Sequence, residues 1–347
     1  MKNIIKQLIQ GFLKLVPLSL FSRMIHPEVT GLIYHAVSDR PLPHVDHIYP
    51  PVTTTRFEEA LIYLKRNYNV ITYDQLHAHI FAAEGLPEKA LHLSFDDGYI
   101  ECYTLVRLLL QEHKIPCTFF ITSDWIDNQN MFYRNKVGLC IEKLGKMKPE
   151  EGSQSLSDLN RTFGTNLQDF DDFSRWIKAM VQADTDKIEK ICDLLGVDWK
   201  RQLQENPFYL SSEQIRQMAG EGFTIGSHTR SHPKLVQVGE KEMEAEIVES
   251  SRIIQGITGD EIVPFAFPNT ATGIDREILA GIRNRHPFLG LFFDAKGFQE
   301  DVPFIVNRIW AEKPAFTHKG AKTNLPHVLR DAYQEIALEK ILELRRK

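Results

Sequence analysis

The feature that most narrows the fold of this chain is a repeated alternation of short apolar β-like runs with helical runs. Gly31 to Val37 is followed by a helix seeded near Thr55, then Asn69 to Thr72, a helix begun by Asp74, and the run Leu91 to Phe95. A helix through Tyr103 to His113 and the run Cys117 to Thr122 come next. The rhythm returns with a helix capped by Ser211 or Ser212, the run Phe223 to Ser227, and a long helix from Gly239 to Gln255. Pro264 to Phe267, a helix begun by Asp275, and two last strands, Leu289 to Phe293 and Phe304 to Trp310, complete it. Such an order predicts an α/β fold closed as a (β/α) barrel.

Between about residues 125 and 207 the rhythm breaks. Helical patterns around Val137 to Leu144, Phe170 to Val181 and Lys187 to Leu195 are separated by the polar stretch Glu150 to Asn160. A helical insertion at this point would sit over or beside the barrel mouth, as packing on the flank or as a lid.

At 43% hydrophobic and 25% charged, with a net charge of -5, the 347 residues fit a single large soluble enzyme. Basic residues are dispersed, so no nucleic-acid surface is expected, and Arg345-Arg346-Lys347 suits the C-terminal end of a helix. Four cysteines without close pairing are compatible with a reducing compartment. Over residues 1–26, Ile4, Ile5, Leu8, Ile9, Phe12, Leu13 and Val16 repeat at helical spacing against a polar face bearing Lys2, Lys6 and Lys14, which predicts an amphipathic helix. Lys14 interrupts the apolar stretch and no alanine precedes Ala36, so neither a membrane span nor a secretory cleavage site is expected. This helix is expected to lie on a membrane surface or to dock on the barrel that occupies residues 27–347.

Two short stretches carry chemistry. In Ser94-Phe95-Asp96-Asp97-Gly98 both aspartates fall at the C-terminal end of an apolar strand, where α/β sheets place their sites. Adjacent carboxylates there point in different directions, so one can ligate a cation while the other takes a proton. In His228-Thr229-Arg230-Ser231-His232 two histidines straddle the turn after another strand. Two imidazoles and one carboxylate leave positions open on zinc or a similar divalent ion for water and substrate.

The order of these motifs, followed by Phe265-Ala266-Phe267-Pro268, resembles the polysaccharide deacetylase family, that of the nodulation chitooligosaccharide deacetylases. The resemblance implies a distorted seven-stranded barrel. It implies Asp96 as general base, with Asp97, His228 and His232 as ligands of a divalent ion, zinc first and cobalt, nickel or iron as alternatives. Upstream, Gly31-Leu32-Ile33-Tyr34-His35-Ala36-Val37 is similar to the Tyr-His strand of a circularly permuted branch that includes the poly-N-acetylglucosamine deacetylases. That likeness implies His35 as the acid that protonates the leaving amine. The third motif departs from the family pattern: Phe265 stands where an arginine is common, and Asn269-Thr270 where an aromatic-glycine follows the proline. Arg308, in the last strand, is a candidate to orient the base in its place, or else a buried structural arginine.

The expected function is metal-dependent hydrolysis of an N-acyl group, N-acetyl foremost, from an amino sugar in a glycan or lipid-linked precursor. Two alternatives stand beside it: a deformylase or other carbon-nitrogen amide hydrolase on the same site, and a catalytically inactive sugar-binding relative. Absence of an export signal and the basic amphipathic N-terminus favour a cytoplasmic enzyme peripheral to the membrane.

Overall fold

A computed structural model describes residues 27–49, 51–312 and 325–344, together with Leu13, Val16, Pro17, Leu20, Phe21 and Ile25. The barrel strands are β1 (Thr30–Tyr34), β3 (Ala90–Phe95), β4 (Thr118–Ile121), β5 (Thr224–Ser227), β6 (Val263–Ala266), β7 (Leu289–Asp294) and β8 (Ile305–Trp310). A further two-residue strand, β2 (Asn69–Val70), pairs with the start of β3. The order β1-β8-β7-β6-β5-β4-β3 is closed by direct pairing of β3 with β1, which makes a seven-stranded ring. Every pair is parallel. Strands covered on both faces carry no polar alternation, and β1, β3, β4, β6 and β7 are buried along their whole length.

Two details of the ring position the site. The closing register runs from Thr30 opposite Leu91 to Tyr34 opposite Phe95, so His35 and Asp96 leave the barrel at the same height. At Gly31 a Cβ would stand 2.6 Å from the Asn307 carbonyl and 2.9 Å from Arg308 Cγ. Glycine is therefore what lets β8 carry a large side chain inward past β1.

The insertion follows β4 with a short 3₁₀ segment, Ser123–Asn128, and then the helices Tyr133–Gly145, Pro149–Phe163, Phe170–Lys178, Thr185–Leu195 and Trp199–Glu205. Its core of Val137, Ile141, Phe173, Ile188 and Ile191 is continuous with Ala36, Tyr49 and Tyr99 at the strand ends, so the insertion packs over the mouth. The polar stretch expected between helices is itself a helix. Pro149 occupies its first turn with Glu150 and Glu151, Gly164 ends it in a left-handed cap, and Leu159 is its one fully buried contact. A helix that buries so little shows no wide apolar stripe in the sequence.

Apart from the six residues named above, the amphipathic helix expected over residues 1–26 lies outside the described residues. Leu13 and Phe21 are buried with Tyr333 and Leu338 of the helix Leu325–Leu344. Arg330 donates to the Val16 carbonyl and Gln334 to that of Leu13. Among the described residues no helix is long and apolar enough to cross a membrane.

Candidate active site

At the end of β3 the backbone changes hand. The Asp96 N–H still donates to the Tyr34 carbonyl at 2.9 Å, in barrel register, whereas Asp97 and Gly98 take φ of 76° and 82°. A Cβ at Gly98 would come within 2.9 Å of Ile121 Cγ2, and aspartate is among the few other residues that visit this region readily. The reversal throws the two carboxylates apart.

Asp96 faces β8. Arg308 grips it with two parallel bonds, Nη1 to Oδ1 at 2.7 Å and Nη2 to Oδ2 at 2.8 Å, and Nη1 also meets Ser94 Oγ at 2.9 Å. Both partners are buried, and the guanidinium lies 5.1 Å from the Phe120 ring centroid and 5.7 Å from that of Phe293. A planar donor fork matches a carboxylate in a way that lysine cannot. Phe265 meanwhile packs with Phe267 and Phe292 in an apolar cluster outside the ring. The cation that the third motif lacks thus reaches Asp96 from the last strand.

Asp97 faces β5. The His228 N–H continues the ladder to Ile121 O at 2.9 Å, and then Thr229 and His232 both adopt positive φ and tighten the turn between the two imidazoles. Glu246, buried on the helix Glu240–Thr258, accepts the N–H groups of Arg230 and Ser231 at 2.8 and 2.9 Å and holds that turn. His228 Nδ1 is 2.9 Å from the Ala266 carbonyl, so this nitrogen carries the proton and Nε2 faces the carboxylates. Nε2 of His228 lies 3.6 Å from Asp97 Oδ1 and 3.8 Å from Asp96 Oδ2, and Nε2 of His232 lies 3.3 Å from Asp97 Oδ1.

Asp97, His228 and His232 could each offer one ligand atom, and these atoms lie within 4.8 Å of one another. Asp97 Oδ2 accepts the Tyr49 hydroxyl at 3.0 Å, but Oδ1 is buried with no hydrogen-bond donor. An unpaired buried carboxylate oxygen is costly, and this one sits between two imidazole nitrogens at roughly 3.3–3.6 Å, the edge length that ligand bonds of about 2.0–2.2 Å would produce around a tetrahedral ion. The donor set fits a divalent cation. Burial pushes the His228 imidazole down to about 4, which keeps it neutral as a ligand must be. Burial works against the Asp97 charge, yet His232, His35 and His228 hold its carboxyl below the ordinary range.

His35 lies on the opposite side of the mouth. Its Nδ1 is 2.9 Å from Glu312 Oε1, which also accepts the His35 backbone N–H. Its ring packs 5.0 Å from Tyr49 and 5.6 Å from Trp310. Burial disfavours the imidazolium, but the Glu312 hydrogen bond and charge, with Asp97 and Asp96 beyond, lift His35 to about 9. Burial raises the Glu312 carboxyl above its ordinary range against the opposing pull of the bond from His35.

All five residues expected from the sequence, His35, Asp96, Asp97, His228 and His232, surround the mouth of one barrel. Sequence reasoning missed Tyr49, Glu246 and Glu312. Glu312 had a usable signal: Arg308, Trp310 and Glu312 fall at alternate positions, which in a strand face the same side. Tyr49 and Glu246 had none, being a loop residue and a helix residue joined to the site only by folding.

The family model described as polysaccharide deacetylase matches residues 83–284. The poly-beta-1,6-N-acetyl-D-glucosamine N-deacetylase of Escherichia coli strain K12 is 30% identical over 103 residues, which is 29% of this chain and 15% of that protein. The matched part is thus a small fraction of the curated relative's length. IcaB from Ammonifex degensii superposes with a TM-score of 0.53 at 16% identity, covering 89% of this chain and 98% of that one. The Streptococcus pyogenes deacetylase PplD in complex with acetate superposes at 0.50 with 15% identity, over 81% and 91% of the two chains. Both share the barrel fold.

Proposed function

Because the chain belongs to the polysaccharide deacetylase family, we propose that it removes an N-acetyl group from an amino sugar within a glycan by attack of water on the amide carbonyl. The observation that carries the reading is the division of labour between neighbouring aspartates. Asp96 is bound to a cation of the protein, and Asp97 presents a donor-free oxygen to two imidazoles. Asp97, His228 and His232 would hold the divalent ion, zinc by the chemistry of the donors, which when bound polarises the carbonyl and makes water more acidic.

The protein's own groups do the rest. Asp96 accepts the proton of the attacking water, its carboxylate turned into place by the Arg308 fork. Tyr49 occupies Asp97 Oδ2 and leaves Oδ1 as the ligating atom. As the carbon-oxygen bond forms and the carbon-nitrogen bond breaks, the His35 imidazolium gives its proton to the departing nitrogen, which would otherwise leave as a strongly basic anion. Acetate and a free amino sugar result; Asp96 then releases its proton to solvent and His35, whose charged form Glu312 favours, takes one up before the next cycle.

The test is acetate release from a panel of N-acetylated sugars, with and without chelator, by the parent chain and by Asp96→Asn. The variant should keep its metal and lose activity by roughly a hundredfold or more. Full activity in Asp96→Asn, or activity indifferent to metal removal, would sink the proposal.

A further inference from the structure

The insertion has an apolar core of its own, and two thiols meet inside it. Cys140, on the helix Tyr133–Gly145, and Cys192, on the helix Thr185–Leu195, are both fully buried, and their Sγ atoms stand 3.4 Å apart. No sequence spacing announces this pair, since 52 positions separate its members. The other two cysteines, Cys102 and Cys117, belong to the separate cluster of the barrel.

The contacts around the sulfurs hold them in this position. About one turn before each cysteine the same two helices are joined by Lys136 Nζ and Glu189 Oε1 at 2.6 Å, with Lys136 also lying over the Trp199 ring. Sliding one helix along the other would break this ion pair as well as the packing of Val137 and Ile141 in the same cluster as Ile188 and Ile191. Each helix also leans on a different side of the mouth. On the first, Asn135 donates to the His44 carbonyl at 2.8 Å, in the loop after β1, and a Cβ at Gly138 would stand 2.7 Å from the same oxygen. Just before the second, Gln182 donates to Ser231 O and Oγ at 3.2 and 3.3 Å, beside His232. A disulfide spans about 2.05 Å, which leaves the sulfurs roughly 1.3 Å to close.

We propose that Cys140 and Cys192 form a disulfide under oxidising conditions, a covalent staple that ties the two sides of the insertion together over the barrel mouth. The oxidant is a small-molecule disulfide. One protein thiolate attacks it, forming a mixed disulfide and expelling one small thiolate; the second protein thiolate attacks the protein sulfur of that mixed disulfide and expels the other. The protein thiols lose two electrons, the small disulfide gains them, and the two protons end on the released thiols. The hydrogen bond with Cys192 and burial push the Cys140 thiol well above its ordinary range, so exchange proceeds through opening of the insertion, and reclosure then shields the bond from reductant. The bond closes a loop that holds the helices Pro149–Phe163 and Phe170–Lys178, which restricts the unfolded insertion and thereby stabilises the folded one.

The experiment uses the reduced full chain, in urea raised only until a maleimide labels both Cys140 and Cys192. A parallel sample receives glutathione disulfide at that urea concentration, is diluted back into buffer, blocked with maleimide and mapped by non-reducing peptide mass spectrometry. Peptides linked through Cys140 and Cys192 should dominate, and the oxidised chain should melt roughly 5 °C above the reduced one. Cys192→Ala should show neither the linkage nor the shift, and Cys140→Ala serves if that variant does not fold. The map of the parent chain decides even where neither variant folds. Both thiols recovered free or capped by glutathione, or bonds shared equally among all four cysteines, would overturn the staple. So would a linked chain that melts no higher than the reduced one.

Discussion

Replacing Glu312 by glutamine should move the alkaline edge of activity rather than remove activity at every pH. The glutamine amide oxygen can still accept the His35 backbone N–H, so the variant keeps that contact and loses only the charge that sustains the imidazolium. His35 stands at about 9 with Glu312 in place, against an ordinary value near 6.5, a preference for the charged form of about 3 kcal/mol. The sign follows directly: the imidazolium persists up to about 9, and activity that needs it is lost as pH rises through that value. Without Glu312, burial opposes the charged ring while Asp97 and Asp96 still favour it, and the ordinary value of about 6.5 serves as the reference for the variant. At about pH 8 the protonated fraction then drops from roughly nine-tenths to roughly 3%, a loss of about thirtyfold, whereas at about pH 6 it changes less than twofold. The assay is kcat for acetate release across the pH range in parent and variant, with metal saturating. An alkaline limb that does not move, or a loss of the same size at both ends of the range, would refute the role given to the His35–Glu312 pair. The same linkage makes the pair stabilising below about 6.5, with that contribution lost as pH rises through about 9.

Other outcomes follow from the same geometry. Purified chain should bind one divalent ion with bonds of about 2.0–2.2 Å to Asp97, His228 and His232, and His228→Ala with His232→Ala should abolish stoichiometric binding by metal analysis. Arg308→Leu strands a buried carboxylate and should cost about 3–5 kcal/mol in denaturant unfolding together with most turnover, and Arg308→Lys should not restore the activity. Removing residues 1–23 uncovers Tyr333 and Leu338 and should lower the melting temperature by the loss of two buried side chains, about 1.5–3 kcal/mol each. An unchanged melting temperature would place the N-terminal segment's contribution elsewhere.

How much of this was readable beforehand differs from residue to residue. The Asp-Asp and His-Thr-x-x-His motifs are local: strand, reversal and side chains sit within five residues of one another, so the pattern singled out the two carboxylates and the two imidazoles, while the choice of Asp97 as ligand and Asp96 as base came from the family resemblance. Arg308 was half legible, because an arginine in an apolar strand marks an inward charge but does not say which carboxylate it meets. The strand Ile305–Trp310 pairs with Thr30–Tyr34, whose neighbour leads into Asp96, and only ring closure makes those three adjacent. The helix Pro149–Phe163 was read as a polar connector, since a helix that buries little offers no stripe to find.

The sequence by itself determined the barrel rhythm, the paired carboxylates and the two imidazoles, because each depends on periodicity or on contacts a few residues apart. The tertiary structure decided which aspartate faces the two imidazoles and which faces Arg308, through the positive φ at Asp97 and the arrival of β8. It also decided that Glu312, 277 positions along the chain, pairs with His35, and that the insertion's rings back His232. Those pairings join segments whose separation along the chain is too long for any local pattern, so they exist only once the ring is closed and the insertion is packed over its mouth.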